Sequence, residues 1–85
     1  SFDFSDVADK KHEAVVLRAS LQAMIMSRCK ELKRVAADDL LAHVRETMHK
    51  LKDVEVEDAA IKREIEEMLK KGNLERAGDE LHFVD

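Results

Sequence analysis

An 85-residue chain with 45% hydrophobic residues is long enough for one small core, which argues against disorder throughout and against a large multidomain enzyme. Its charged residues make up 40% of the chain, alternate in sign and sum to −4, so it lacks the clustered positive excess of a generic phosphate-backbone binder. Cys29 is the one cysteine, which leaves no internal disulfide and fits a reducing compartment, cytoplasmic or nuclear; no apolar run approaches the roughly 18 residues that span a membrane.

Residues 1–8 (SFDFSDVA) have no settled period and are expected to be flexible. Residues 9–85 read as a single domain, and a first residue other than Met suggests a fragment of a larger protein. From Asp9 to Arg34 the pattern predicts one long helix. Leu17, Leu21, Met24, Ile25, Cys29 and Leu32 fall within roughly a third of its circumference at ~100° per residue, with Lys30 nearly opposite. Val35-Ala36-Ala37 breaks the period and can supply a one-bridge strand. Asp38 is placed to cap a second helix whose stripe is Leu40, Leu41, Val44 and Met48. Lys50 to Glu57 reads as a connector that can tuck Val54 and Val56 under the core, and Asp58 then caps a third helix.

In that third helix Ile61, Ile65, Met68 and Leu69 recur at the spacing of a buried stripe. Lys70 and Lys71 suit the negative end of the helix dipole, and Gly72 is placed as a stop at positive φ. Leu74–Ala77 and Glu80–Val84 then read as strands around a tight Gly78-Asp79 turn. Three helices followed by a hairpin outline an α+β winged helix: a three-helix bundle with a C-terminal β-hairpin wing. Its predicted core is Leu21, Met24, Ile25, Leu32, Leu40, Leu41, Val44, Met48, Ile61, Ile65, Met68, Leu69, Leu74, Leu81 and Phe83.

Little in the chain carries reaction chemistry. His12, His43, His49 and His82 lie in different elements with no cysteine at zinc spacing, so they read as surface residues and no metal or cofactor is expected. Cys29 sits in the apolar stripe, where a thiol is inert. No catalytic triad order or glycine-rich phosphate loop is present, so the chain is not read as an enzyme. Glu64, Glu66 and Glu67 alternate with Lys and Arg as on a solvated face. Winged helices that bind DNA place their third helix in the major groove. Here Glu57, Asp58, Glu64, Glu66 and Glu67 outnumber Lys62, Arg63, Lys70 and Lys71, and the AGDE wing is acidic, which weighs against nucleic acid.

IKREIEEMLKKGNLER resembles the segment near the C-terminus of cullins, the scaffolds of RING-type ubiquitin ligases. Ile61, Lys62, Arg63, Ile65, Glu66, Leu69, Leu74, Glu75 and Arg76 carry that resemblance. Upstream, Leu21-Gln22-Ala23, Ile25, Lys30, Lys33, Leu40-Leu41 and Val44 match without a gap; the resemblance covers roughly residues 9 to 84, and its specific block is Ile61 to Arg76. It implies a non-catalytic winged-helix scaffold module that lies beside a RING-finger subunit and its E2 enzyme and accepts a ubiquitin-like modifier on a lysine. Anchored backward from Leu40-Leu41, the acceptor position falls on Lys30, with Lys33 its nearest rival. Anchored from Asp9-Lys10-Lys11-His12-Glu13, it falls on Ala23. The chain departs from the family's pattern at Leu32, where an arginine is usual, and at Phe83-Val84-Asp85, where the family ends in Tyr-x-Ala. The alternatives are a winged-helix nucleic-acid-binding domain, entering through Lys62 and Arg63, and a protein-interaction winged helix of some other assembly.

Overall fold

The computed structural model describes the backbone from residue 4 to residue 85 and the side chains from residue 14. In chain order the elements are α1 (Phe4–Leu32), β1 (Arg34–Ala36), α2 (Ala37–Lys52), α3 (Asp58–Lys70), β2 (Leu74–Ala77) and β3 (Glu80–Phe83). Helix α1 starts ahead of the Asp9 predicted for it. Of the eight residues expected to be flexible, 1–3 lie outside the described ones. Twenty-nine helical residues span ~43 Å, longer than the core they cover, and the molecule measures 51 × 27 × 19 Å.

The cap positions shift from those predicted. Asp38 does not cap α2: the chain passes from strand to helix without a break, so the cap position falls on Ala36 and Asp38 lies inside the first turn. No side chain caps this end; instead the Ala37 N–H donates to the Asp79 carbonyl at 2.8 Å, so the wing turn closes the start of α2. Asp58 is likewise not the cap of α3. Glu57 holds that position in extended conformation, and Asp58 is the first helical residue, bonded to Arg45 Nη1 at 2.6 Å.

A residue of positive φ follows each helix, Lys33 (69°) and Asp53 (53°) directly after α1 and α2 and Gly72 (80°) one residue past the Lys71 cap of α3. At the last, the Gly72 N–H donates to Leu69 and the Asn73 N–H to Met68, the paired bonds that close a helix on a left-handed residue. The hairpin follows as predicted. Gly78 at φ 63° takes the first central position of a two-residue turn, and Ala77 pairs with Glu80 across it. Strand β1 adds to the far side of β3, with Val35 opposite Leu81, giving an antiparallel sheet of order β1-β3-β2.

The core joins one stripe from each helix to the inner face of this sheet. Leu21, Ile25 and Cys29 of α1 meet Leu40, Leu41, Val44 and Met48 of α2, Ile61, Ile65 and Met68 of α3, and Leu74 and Leu81 of the hairpin. Val35 and Val56 are buried as well. Leu32, placed in the core from sequence, is 41% exposed: it is the last residue of α1, and the turn at Lys33 leaves it overhanging the end of the core. Met24, Leu69 and Phe83 are half-buried and pack on the core's edge.

Ile65 is 4% exposed where α3 meets the other elements. Ile65→Ala should cost about 2–5 kcal/mol in urea unfolding, and an unchanged midpoint would show that this stripe does not hold the fold.

Candidate functional site

The site residues named from sequence fall into two regions. The first is the junction where α1 turns into β1. Lys30, in the last turn of α1, is exposed and takes part in none of the ion pairs among the described residues. Lys33, three residues on, is held from both ends. Its N–H donates to the Cys29 carbonyl at 2.7 Å, its carbonyl accepts from the Phe83 N–H at 2.8 Å, and its Nζ lies 4.9 Å from the centre of the Phe83 ring and 3.9 Å from Asp85 Oδ1. A left-handed lysine costs roughly 1–2 kcal/mol relative to right-handed backbone, and these contacts to β3 offset it. Ala23 is exposed on α1 almost two turns before Lys30.

Directly beneath, Cys29 is fully buried, and burial pushes its thiol above the ordinary value of 9.0. The folded state therefore keeps the thiol neutral to higher pH than the unfolded chain does.

The second region is α3. Of the three acids read as a solvated face, Glu66 and Glu67 lie on it, with side chains 58% and 41% exposed, and Glu64 does not. Glu64 is 3% exposed and is the buried charged residue among those described: its Oε1 accepts from Gln22 Nε2 at 2.8 Å and lies 3.6 Å from Arg18 Nε. It ties α3 to α1. The signal was present in the sequence, because 61, 64, 65 and 68 make one continuous stripe in which position 64 carries a carboxylate. Asp58 is paired with Arg45, Glu66 with Arg76 of β2 at 2.9 Å, and Glu67 with Lys70 at 4.0 Å. Every carboxylate within α3 thus has a cationic partner, while Lys62 and Arg63 are exposed and have none among the described residues.

The histidines do not converge. His43 is half-buried against α1, His49 bonds Glu55, and His82 lies 3.4 Å from Glu80; the side chain of His12 is outside the described ones. No group of three or more His, Cys, Asp or Glu gathers as a metal site among the described residues, and none of their helices is long and apolar enough to cross a membrane.

No protein-family model matches the chain, and no curated protein matches it. Solved structures do. One is the winged-helix (WHB) chain of the cullin Cdc53 from the complex described as "A Dual E3 Mechanism for Rub1 Ligation to Cdc53: Dcn1(P)-Cdc53(WHB)". It superposes with a TM-score of 0.82 at 18% identity, covering 100% of this chain and 99% of that one. The fold is a winged helix. At that identity the likeness establishes the fold and nothing of the activity.

Two measurements check the polar core. Glu64→Ala should cost about 1–3 kcal/mol, because it strands the half-buried Gln22 amide, while Glu64→Gln keeps an acceptor and should cost less. Equal, negligible costs would place Glu64 in water. For Cys29 the sign follows from its raised value: the unfolded chain releases the thiol proton first, so the thiol's contribution is complete below pH 9.0 and is lost as pH rises beyond it. Urea midpoints should fall above that pH more steeply for the wild type than for Cys29→Ala.

Proposed function

We propose that this chain is the winged-helix module of a cullin-type ubiquitin ligase, a non-catalytic scaffold part that positions a RING subunit with its E2, and that Lys30 accepts a ubiquitin-like modifier. The observation that carries the reading is the full-length likeness to the Cdc53 WHB chain, taken from a complex described as an E3 mechanism for Rub1 ligation. The residues named from the cullin resemblance, Ile61 to Arg76 and Leu21 to Val44, support it from sequence.

The two candidate lysines differ in chemistry. Isopeptide formation needs an amine that can leave its surroundings and reach an E2 thioester. Lys30 stands on the outer face of α1 with no ionic partner among the described residues, whereas Lys33 is the helix stop, with its amine over Phe83. That contrast favours Lys30 as acceptor. Dcn1, the second component named for the Cdc53 complex, is a natural candidate partner.

The nucleic-acid reading keeps one specific support: Lys62 and Arg63 are exposed on the outer face of α3 and have no ionic partner among the described residues. Against it stand the net charge of −4 and the acidic wing.

Reconstitution tests the proposal. With a RING subunit and the cullin-modifying E1 and E2, the protein should gain a single modifier, and Lys30→Arg should abolish the shift. Arginine keeps the charge and helix propensity but offers no amine for the bond, so loss reports chemistry rather than unfolding. Modification that survives Lys30→Arg moves the acceptor elsewhere. An unmodified wild type, beside an authentic cullin that is modified, overturns the acceptor role.

A further inference from the structure

Helix α1 runs past the core it covers. Leu21 is the first of its described residues to be buried, Leu17 is half-buried, and Val15 is 63% exposed. The end of α3 comes up beside this stretch, and a recess of about 280 Å³ opens between them, lined by Val15, Arg18, Ala19, Gln22 and Lys71. Its apolar part is surface rather than core, since Val15 and Ala19 are exposed and neither belongs to the core cluster. Its charged part is of one sign: Arg18 and Lys71 line it and no acid does. Two acids stand near. Glu64 lies 3.6 Å from Arg18 Nε, but it is 3% exposed and bonded to Gln22, so it holds the guanidinium from behind while the Arg18 side chain stays 62% exposed. Glu67, one turn before Lys71, is 4.0 Å from Lys70, and Lys71 has no ionic partner among the described residues. Arg18, Lys70 and Lys71 therefore outnumber Glu64 and Glu67, and one of those two acids is buried.

We propose that this recess docks a protein segment in which an aliphatic side chain stands beside carboxylates. The aliphatic group covers Val15 and Ala19, taking out of water apolar surface that the fold leaves exposed. One carboxylate meets the Arg18 guanidinium, whose planar fork suits two oxygens, and a second reaches the Lys71 ammonium. Glu64, fixed by Gln22, restrains Arg18 before a ligand arrives, so less side-chain entropy is lost on binding. A nucleic-acid backbone would satisfy the two cations and gain nothing from Val15. The recess is independent of the Lys30 reading: Lys30 lies ~12 Å along α1 beyond Gln22 and does not line it.

Titration of the 85-residue chain with three capped pentapeptides, followed by its amide resonances, tests it. The first peptide carries leucine between two pairs of acids, the second replaces the leucine by glycine, and the third replaces the acids by their amides. The first should shift Val15, Ala19, Gln22 and Lys71, and should weaken as salt is added, because both cations are exposed. The other two should bind about threefold or more weaker. Lys71→Glu and Val15→Ser should each weaken the first peptide about threefold or more while leaving the circular dichroism unchanged, because neither residue packs in the core. No shift at these four residues, equal binding of the three peptides, or unchanged affinity in either variant would overturn the proposal. A labelled DNA duplex that binds tighter than the first peptide and shifts the same residues would also overturn it, making the recess a nucleic-acid face.

Discussion

The fold depends on burying one side of α3. Ile61, Glu64, Ile65 and Met68 are the side chains it turns inward, and three of the four are apolar residues that stabilise only when other elements cover them. Helix α1 supplies Leu21 and Ile25, α2 supplies Leu40 through Met48, and the sheet closes the end with Leu74 and Leu81. Because the sheet is only three short strands, it needs this helical support to persist. The wing returns the support: its Asp79 carbonyl caps α2, and its β3 fixes the turn at Lys33.

Polar side chains then fix the relative placement that apolar packing leaves loose. Glu64 joins α3 to α1 through Gln22, Arg45 joins α2 to the start of α3, and Glu66 joins α3 to β2. The half-exposed pairs contribute at most about 1 kcal/mol each, so their role is orientation more than stability. Their functional consequence is subtraction. By pairing the acids of α3 they leave Lys62 and Arg63 as its cations without a partner among the described residues, and by engaging Lys33 the C-terminal segment leaves Lys30 as the unengaged amine at the end of α1 among those residues.

What was legible in the sequence is what depends on local chemistry. Gly72 and Gly78 announce left-handed positions because few other residues adopt them cheaply, and the hairpin between Leu74 and Phe83 follows. The stripes of α2 and α3 follow from their period. What was missed is set by residues distant in sequence. Lys33 stops α1 in a left-handed conformation because the Phe83 N–H and ring hold it, and no glycine marks the place. Ala36 rather than Asp38 caps α2 because strand pairing with β3 runs up to it. Glu64 is buried because Gln22, 42 residues earlier, meets it. A linear tally of charge along α3 cannot see that Glu64 leaves its surface, nor that Arg45 and Arg76 from other elements pair Asp58 and Glu66.

The central claim is that the fold sorts its lysines, leaving Lys30 and Lys62 without a partner among the described residues and holding Lys33 against Phe83 and Asp85. Trace acylation of the native protein with a small amine-reactive ester, read by mass spectrometry residue by residue, tests this most directly. The account predicts Lys30 and Lys62 to react about twofold to fivefold faster than Lys33, the factor expected of a cation–π contact at an exposed site, and the difference to vanish in urea. Lys33 reacting as fast as Lys30 in the folded protein, or Lys30 protected, would contradict it.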